Sequence, residues 1–192
     1  MTNDPHSLFD LWFEEARQSE PNDPEAMALA TCDTEGRPSV RMVLLKNHDA
    51  RGFTFHTNLE SRKGGEIEAN PNAAIVFHWK SLRRQVRVEG RIEPVSVADA
   101  DAYFATRSRG SQLSAWASSQ SRPLESAEAL AARYADMVER FEGQDVPRPA
   151  HWTGLRLVPR VIEFWSNGDF RLHQRRLFTL TGNDWHENLL YP

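Results

Sequence analysis

Cysteine is almost absent from this sequence, since Cys32 is the only one among 192 residues. A single cysteine excludes a disulfide within the chain and a metal site built on several cysteines. It is typical of proteins that stay in a reducing cytosol. The first residues also lack a basic segment followed by an apolar run, so we expect no secretory signal peptide and a cytoplasmic location.

Long apolar runs and a strong charge of one sign are missing as well. A membrane-spanning helix needs roughly 20 consecutive apolar residues, and no run in this sequence approaches that length. The net charge is −4, which disfavours general binding to the phosphates of a nucleic acid. We therefore expect neither a membrane nor a nucleic acid as a partner.

The motifs of several common enzyme classes are absent too. The sequence has no nucleophile elbow, no P-loop and no Gly-x-Gly-x-x-Gly loop. Its seven histidines show no metal-ligand spacing, so no metal site is expected. Nothing in the spacing supports a Ser-His-Asp triad. What remains is rich in cations, hydroxyls and amides, which suit the binding of phosphates and of a flat heterocycle.

Turn residues divide the chain into short segments with apolar periodicity. A first helix is expected from the N-cap Asp4 to a stop before Pro21. Strands are expected at 26–31, 38–47, 53–57, 73–79, 83–95, 152–159, 161–165, 170–180 and 185–191, and later helices at 61–69, 96–106, 111–121 and 126–141. The pattern is mainly β with flanking helices. It predicts one domain over 1–192, an antiparallel β-barrel with helices outside.

The run Arg-Met-Val-Leu-Leu-Lys at residues 41–46 places four apolar residues between two cations. It is too short for a helix and follows a turn at Glu35-Gly36, so it predicts a buried strand. Side chains alternate along a strand, so Arg41 and Lys46 are expected on opposite faces. Buried cations are costly without anionic partners, which predicts two anionic groups near this strand.

A second polar group lies where the strand over 53–57 ends and a helix begins. Hydroxyl, amide and cationic side chains meet there at a helix N-terminus, which predicts a phosphate site. The residues concerned are His56, Thr57, Asn58, Ser61, Arg62 and Lys63. Solvated charges at the ends of a strand and a helix would give the same pattern, and spacing alone leaves both interpretations open.

The strand over 83–95 has one apolar and one polar face. The polar face carries Arg83, Gln85, Arg87, Glu89 and Arg91. A solvated sheet surface is the simpler interpretation of this face. The alternative is that part of it lines a ligand site or a subunit interface.

Six motifs, in this order, resemble those of the pyridoxamine 5′-phosphate oxidase family. They are Arg-Met-Val-Leu-Leu-Lys (41–46), Thr-Asn-x-x-Ser-Arg-Lys (57–63), Arg-Gln-Val-Arg-Val-Glu-Gly (84–90), Tyr-Phe-x-x-Arg (103–107), Ser-Gln with Ala-Trp-Ala (111–117), and Ile-Glu-Phe-Trp with Arg-Leu-His (162–173). The resemblance extends from about Asp4 to Pro192. It implies an FMN-binding antiparallel split β-barrel that forms a homodimer, with two flavin sites at the subunit interface.

The same resemblance implies which residues bind the cofactor and the substrate. The FMN residues would be Arg41, Met42, Val43, Leu44, Leu45, Lys46, His56, Thr57, Arg62, Lys63, Gln85, Gln120, Ser121, Trp165 and Arg175, with the phosphate at Arg41, Arg62 and Lys63. The substrate residues would be Lys46, Tyr103, Arg107 and Ser111 at its phosphate, and Arg171, Leu172 and His173 at its ring. Arg171 and His173 would be catalytic, and alternation along the predicted strand over 170–180 puts both on one face.

Several positions depart from the residues usual in the family, among them the C-terminal Leu189-Leu190-Tyr191-Pro192, and two departures concern the expected site. His56 stands where an aromatic residue, usually tyrosine, is common, and a histidine can also titrate. Gln174 replaces the aspartate that normally follows Arg-Leu-His, which removes a negative charge beside two expected substrate residues. Without the resemblance, a tryptophan such as Trp165 is more often a core residue than part of a cofactor site, and a lone histidine such as His173 is more often structural than catalytic.

The reaction implied by the resemblance is the oxidation of pyridoxamine 5′-phosphate and pyridoxine 5′-phosphate to pyridoxal 5′-phosphate, in vitamin B6 metabolism. FMN is the cofactor, dioxygen the acceptor and hydrogen peroxide the second product. One alternative is a flavin- or deazaflavin-dependent reductase of the same fold, which need not keep Lys46, Tyr103, Arg107 and Ser111 together. Another is a non-catalytic protein that binds flavin or pyridoxal phosphate.

Overall fold

The computed structural model describes residues 4–192, and residues 1–3 of the predicted domain lie outside that part. The helices are α1 (Pro5–Ser19), α2 (Arg62–Ala69), α3 (Val97–Ala105), α4 (Arg109–Ala117) and α5 (Ala127–Arg140). The strands are β1 (Ala26–Cys32), β2 (Pro38–Leu44), β3 (Asn47–Asp49), β4 (Gly52–Asn58), β5 (Asn72–Trp79), β6 (Arg84–Pro94), β7 (Trp152–Ser166), β8 (Gln174–Thr181) and β9 (Asp184–Leu189). Most predicted elements are confirmed to within a few residues at each end.

One antiparallel sheet contains all the strands of the described chain. Their order is β2-β1-β5-β6-β7-β4-β3, with β8 paired to β7 and β9 paired to β8. The long strand β7 allows this branching, because residues 152–157 pair with β4 and residues 161–166 pair with β8. Along most of its other edge, β7 follows β6. The sheet curls into a barrel-like shape with the helices around it, which confirms the predicted fold class.

Helix α1 closes the core with aromatic side chains. Asp4 begins the helix as its N-cap and accepts a hydrogen bond from the backbone N–H of His6 (3.2 Å). Phe9 is fully buried, and its ring centroid lies 4.9 Å from that of Phe53 and 5.2 Å from that of Phe77. Burying one such ring contributes about 1.5–3 kcal/mol. These contacts therefore hold α1 firmly against β4 and β5.

A smaller apolar cluster joins α3 and α4 to the start of β7. Its buried members are Phe104, Leu113, Phe141, Val146 and Trp152. Trp152 is the first residue of β7, and its ring centroid lies 5.1 Å from that of Phe104 on α3. Tyr103 packs against the edge of this cluster. The cluster therefore fixes the position of a residue that belongs to the predicted substrate site.

Strand β2 differs from its prediction in two ways. It ends at Leu44, because the chain then turns and the N–H of Lys46 donates to the carbonyl oxygen of Thr54 on β4. It is also an edge strand that pairs only with β1. As a result Met42 is 62% exposed. The prediction that this segment is a buried core strand is therefore wrong, because only alternate side chains of an edge strand face the core.

Strand β7 continues through the position at which the sequence predicts a break. The register between β6 and β7 shifts at Glu89 and Gly90, opposite Pro159. Such a bulge accommodates a residue that cannot donate a hydrogen bond to the ladder. Gly90 is required here, since a Cβ atom at this position would lie 2.0 Å from the carbonyl oxygen of Val158. One bent strand therefore replaces the two predicted ones.

A loop over residues 167–173 joins β7 to β8. A short 3₁₀ turn, Asp169–Arg171, occupies its middle. Phe170 and Arg171 have φ angles of 55° and 65°, in the left-handed region that few non-glycine residues adopt. The strand predicted from residue 170 therefore begins later than expected, because this turn interrupts the extended backbone. We call this segment the 167–173 loop.

Candidate functional site

A cavity of about 660 Å³ opens between β2, β4, α2 and the helices α3 and α4. We call it the main cavity. The predicted site residues in its walls are Arg41, Met42, Val43, Leu44, Lys46, His56, Thr57, Lys63, Tyr103, Arg107, Gln120 and Ser121. Leu45 is buried in the core instead, with 5% exposure. The structure thus brings together most of the predicted residues that precede β7.

Arg41 and Lys46 face the same cavity, although strand alternation predicts opposite faces. The prediction is wrong because β2 ends at Leu44, so the alternation does not extend to Lys46. The turn after β2 instead carries Lys46 toward β4. Both cations are therefore available to ligands in one cavity.

Lys63 lies where the N-terminus of α2 meets the main cavity. Its ammonium group donates hydrogen bonds to Thr57 Oγ1 (3.1 Å), Ser61 Oγ (3.3 Å) and Gln120 Oε1 (2.8 Å). Burial, and then the charge of Arg41, lower the pKa of Lys63. These three partners are neutral, so its positive charge is available to an anion. Together with the N-terminus of α2, it makes this end of the cavity suited to a phosphate.

Glu66 on α2 joins Arg41 and Arg62 into one group. Its buried carboxylate accepts hydrogen bonds from Arg41 (3.1 Å) and Arg62 (2.8 Å). It also accepts from the hydroxyls of Thr31 (2.5 Å) and Ser39 (2.6 Å). Burial alone would raise the pKa of Glu66, but these hydrogen bonds lower it to about 2. Arg41, Arg62 and Lys63 together with this one carboxylate leave two positive charges, which match a phosphate dianion. Arg41 and Lys63 line the main cavity, and Arg62 lines a neighbouring one.

Glu66 is not among the site residues that the sequence predicts. The signal that could have found it is its position four residues after Arg62, on the same face of a helix. A carboxylate at that spacing can hold an arginine side chain in place before a ligand binds. The apolar periodicity of so short a helix gives no indication that this face is buried.

His56 packs between aromatic rings on another wall of the main cavity. Its ring stacks on Tyr103, at 3.9 Å between centroids and 10° between planes, and on Trp152, at 5.0 Å and 13°. Burial, and then the charges of Arg107 and Lys46, lower the pKa of His56 to about 4. At neutral pH it is therefore an uncharged flat ring, as the aromatic residue usual in the family would be.

Arg107 provides a second cationic group in the main cavity. Its guanidinium lies over the ring of Trp152, 4.6 Å from the centroid. Its NH1 atom is buried and has no hydrogen-bond partner within the described chain. A buried donor without a partner is costly unless a ligand accepts from it. Lys46 lines the same cavity, so this pair forms a second position for an anion.

Ser111 is the one predicted phosphate residue of the substrate that lies outside the walls of the main cavity. It stands in the first turn of α4, and its hydroxyl hydrogen-bonds with that of Ser108 (2.9 Å). Ser108 is the N-cap of α4. The main cavity therefore brings together Lys46, Tyr103 and Arg107, whereas Ser111 lies in the first turn of the adjacent helix α4.

Three further predicted cofactor residues line a different cavity of about 260 Å³, whereas Arg62 lines neither this cavity nor the main cavity. Gln85, Trp165 and Arg175 are in its walls. The buried carboxylate of Glu163 forms ion pairs with Arg175 (2.7 Å) and Arg87 (2.7 Å). Within residues 4–192, none lines both this cavity and the main cavity. A single chain thus divides the predicted cofactor site between two surfaces.

The three predicted ring-binding residues lie in the 167–173 loop. Because this loop is not a strand, the prediction that alternation puts Arg171 and His173 on one face is wrong. Leu172 is 69% exposed. The ring of His173 is better held, since its Nδ1 accepts from the N–H of Gly168 (3.3 Å) and its centroid lies 4.7 Å from that of Trp165. The loop therefore adjoins the smaller cavity.

Two family descriptions match the chain in succession. The family described as pyridoxamine 5′-phosphate oxidase matches residues 13–141. The family described as pyridoxine 5′-phosphate oxidase C-terminal dimerisation region matches residues 152–192. The boundary between the two matches falls just before β7. The first match contains every wall residue of the main cavity except Trp152, and the second contains Trp152, the 167–173 loop, Trp165 and Arg175.

Curated relatives are similar over the full chain. The pyridoxine/pyridoxamine 5′-phosphate oxidase of Sphingopyxis alaskensis is 62% identical over 192 residues, which are 100% of this chain and 89% of that protein. The protein of the same name from Zymomonas mobilis is 56% identical and is covered over 100% of both chains. The chain therefore spans nearly the whole length of these enzymes.

Solved structures share the fold. PhzG from Burkholderia lata, in complex with tetrahydrophenazine-1-carboxylic acid, superposes with a TM-score of 0.94 at 33% identity, over 100% of this chain and 94% of PhzG. A pyridoxamine 5′-phosphate oxidase-related, FMN-binding protein from Nostoc punctiforme superposes with a TM-score of 0.80 at 18% identity, over 100% of both chains. The second likeness concerns the fold alone.

Proposed function

The chain belongs to the pyridoxamine 5′-phosphate oxidase family, and from this we infer that it oxidises pyridoxamine 5′-phosphate and pyridoxine 5′-phosphate to pyridoxal 5′-phosphate. Dioxygen is the electron acceptor, and hydrogen peroxide is the second product. The observation that carries the proposal is a pair of cationic groups in one cavity. Arg41 and Lys63 belong to one group, and Lys46 and Arg107 belong to the other. The reaction requires such a pair, because the cofactor and the substrate each have a phosphate.

We assign the group around Lys63 to the phosphate of FMN. Arg41 and Arg62 supply further donors, and the ion pairs of both with Glu66 orient them. The residual charge of this group suits the dianion, and it does not require the Gly-rich loop that the sequence lacks. When bound, FMN supplies the redox chemistry, in which a hydride leaves the substrate's C4′ carbon and dioxygen accepts the electrons. His56, Thr57, Gln120 and the segment 41–46 would lie along the cofactor.

We assign the group around Arg107 to the phosphate of the substrate. The buried NH1 atom of Arg107 and the ammonium of Lys46 are donors without partners inside the described chain. The hydroxyl of Tyr103 adds a neutral donor, and Ser111 would add another from the start of α4. Each charge-assisted hydrogen bond contributes about 1.5–3 kcal/mol to binding. This group therefore accounts for a preference for phosphorylated substrates.

We propose that a second copy of the chain completes each site. The smaller cavity with Gln85, Trp165 and Arg175 would face the flavin of the partner, and the 167–173 loop would bring Arg171 and His173 to the substrate ring. The match of residues 152–192 to a dimerisation region supports this arrangement. The proposal includes a single domain over 1–192 and a cytoplasmic location. Among the described helices, none has the length and apolar character that crossing a membrane requires.

Another substrate on the same fold is the main alternative. PhzG was solved with tetrahydrophenazine-1-carboxylic acid, which carries a carboxylate and no phosphate. This chain is 33% identical to PhzG but 54–62% identical to the curated pyridoxine/pyridoxamine 5′-phosphate oxidases. The group of Lys46, Tyr103 and Arg107 also favours a phosphorylated substrate.

An aerobic assay with the purified protein tests the proposal. We expect a yellow protein that releases FMN rather than FAD on denaturation. With pyridoxine 5′-phosphate it should form pyridoxal 5′-phosphate and an equal amount of hydrogen peroxide, and unphosphorylated pyridoxine should react far more slowly. A colourless protein that takes up no added FMN would contradict the proposal. A yellow protein without turnover would instead favour the non-catalytic flavin binder.

A further inference from the structure

A third cavity, of about 170 Å³, adjoins the main cavity. We call it the side cavity. Lys46, His56 and Tyr103 belong to the walls of both cavities, whereas Thr54 and Arg156 line only the side cavity. The cofactor and substrate assignments above give no role to Thr54 or Arg156.

Strand pairing explains how these side chains meet. Thr54 on β4 pairs directly with Arg156 on β7. His56 stands two residues after Thr54, so both project from the same face of β4. Gly154 stands opposite His56, and a Cβ atom there would lie 2.9 Å from His56 Nε2. The absence of a side chain at Gly154 therefore lets the histidine ring lie beside the cavity.

Polar atoms without partners are concentrated around the side cavity. Five buried side-chain polar atoms of the described residues have no hydrogen-bond partner, and three of them are Thr54 Oγ1, His56 Nδ1 and Arg156 Nε. Thr54 is only 6% exposed. Native proteins rarely leave such atoms unsatisfied, because each loses its hydrogen bonds to water on folding. The side cavity therefore has the character of a binding site.

The chemistry of these atoms selects the ligand. The Nε–H of Arg156 and the ammonium of Lys46 can only donate hydrogen bonds, so the ligand must accept them. Neither cation forms an ion pair within residues 4–192, whereas Arg51 in the same walls is paired with Asp49 (2.6 Å). Asp99 is the one carboxylate in the walls, and it is exposed. The excess of positive charge favours an anion.

We propose that the side cavity binds a small inorganic oxyanion, such as phosphate or sulfate, through Thr54, Arg156 and Lys46. Sites for drug-sized ligands and cofactors usually measure about 300–1,000 Å³, so 170 Å³ is too small for the flavin. One water occupies about 30 Å³ of liquid, which leaves room for a tetrahedral oxyanion with some water. The Nδ1 atom of His56 then gains an anionic neighbour.

The shared Lys46 links this site to the substrate. If Lys46 binds the substrate's phosphate, as the proposed function requires, an oxyanion in the side cavity competes for the same ammonium group. Inorganic sulfate should then raise the KM for pyridoxine 5′-phosphate. Part of that increase should disappear when the side cavity alone is altered.

Sulfate binding to the FMN-loaded protein tests the proposal without relying on turnover. Equilibrium dialysis with radiolabelled sulfate gives its stoichiometry and affinity. We expect Arg156→Gln to bind one sulfate fewer per chain than the wild type. Thr54→Val keeps the shape of the side chain but removes its hydroxyl, and it should weaken the same binding by about tenfold. Arg160→Gln, an exposed arginine on the same strand, is the control and should bind as the wild type does.

The results separate this inference from the proposed function. Loss of one sulfate in Arg156→Gln supports the side cavity even if the protein oxidises no pyridoxine 5′-phosphate. In an active enzyme, sulfate should raise the KM less in Arg156→Gln than in the wild type. If Arg156→Gln and Thr54→Val both bind sulfate with wild-type stoichiometry and affinity, the side cavity is no anion site. An equal loss of sulfate binding in Arg156→Gln, Thr54→Val and the Arg160→Gln control would likewise show that the side cavity is no anion site.

Discussion

The main cavity and the 167–173 loop are built in opposite ways. At the main cavity, Lys63 donates three hydrogen bonds and Glu66 holds two arginines. In the loop, Phe170 is 94% exposed and Leu172 is 69% exposed. The cavity therefore has its charged groups oriented before a ligand arrives. The loop presents apolar side chains to solvent in a strained backbone, as expected of a segment whose contacts come from another molecule.

The difference between the two regions matches different proposed roles, phosphate binding at the main cavity and turnover at the loop. One chain supplies both proposed phosphate sites, because residues of its β2, β4, α2 and α3 line the same cavity. The proposed ring-binding residues sit beside the smaller cavity, which shares no wall residue with the main cavity in the described chain. We therefore expect variants at the main cavity to change stability and ligand affinity. Variants in the loop should change turnover and leave the fold intact.

Among the variants considered, Glu66→Ala should lower stability the most, because it removes the carboxylate that orients two arginines at the main cavity. It leaves Arg41 in a partly buried position without its carboxylate, and losing one partner of a buried ion pair costs about 3–5 kcal/mol. Arg62 is mostly exposed and should add little. We expect the free energy of unfolding to fall by about 3 kcal/mol and FMN to dissociate on dilution. Urea denaturation and flavin fluorescence measure the two effects.

Glu68→Ala is the matched control, since Glu68 is an exposed carboxylate on the same helix. It should change the free energy of unfolding by less than about 0.5 kcal/mol. Equal stability and equal FMN retention in the two variants would show that Glu66 does not organise the cationic group.

Glu66 shows which contacts a sequence pattern does not predict. The sequence predicts the helix from Ser61 and its phosphate-binding cations, because an N-cap and a polar cluster are local signals. It does not show that Glu66 faces Thr31 and Ser39, since that contact depends on how α2 packs against β1 and β2. Contacts between elements far apart in the chain leave no local periodicity.

The end of β2 also depends on contacts that the local sequence does not show. The apolar run at 41–46 predicts a strand correctly, but its length cannot tell an edge strand from a buried one. The turn that follows Leu44 is fixed by a hydrogen bond from Lys46 to Thr54 on β4. For the same reason, the strand predicted from residue 170 gives way to a loop. Local propensity favours an extended backbone there, but only the pairing partner decides where a strand begins.

Arg107→Ala should have the next largest effect. It removes the half-buried guanidinium, with its buried NH1 atom, that we assign to the substrate phosphate. A charge-assisted hydrogen bond contributes about 1.5–3 kcal/mol. The KM for pyridoxine 5′-phosphate should rise by about ten- to a hundredfold, while FMN stays bound. Steady-state kinetics and the flavin spectrum provide the readouts. Arg122→Ala, at an exposed arginine, should behave as the wild type. Loss of flavin with unchanged substrate affinity would mean that the two phosphate sites are reversed.

Arg171→Ala and His173→Ala test the proposed role of the 167–173 loop in turnover. If the loop reaches the substrate ring, each variant should lower kcat/KM by at least about tenfold, equivalent to about 1.4 kcal/mol of transition-state stabilisation. The melting temperature should stay near that of the wild type, because neither residue belongs to the core. Near-wild-type kinetics in both variants would remove them from the site.

His56→Phe should have the smallest effect, visible only as a change in pH dependence. The pKa of His56 is lowered to about 4 in the folded chain, from about 6.5 when unfolded. As the pH falls from about 6.5 to 4, the unfolded chain gains a proton that the folded chain does not, so stability decreases. His56→Phe removes this contribution. Its melting temperature should fall less steeply than that of the wild type over this range, and parallel curves would contradict the assignment.

The most direct test of division between two chains is complementation between two variants that each have a low kcat/KM. Arg107→Ala alters the main cavity, and Arg171→Ala alters the loop. Mixed dimers can be purified by placing a different affinity tag on each chain. If each site combines the main cavity of one chain with the loop of its partner, a mixed dimer holds one intact site and one doubly altered site. We predict that its kcat/KM per dimer is about half that of the wild type, whereas kcat/KM stays low in either variant alone. Mixed dimers no more active than the parents would show that Arg107 and Arg171 serve the same site within one chain.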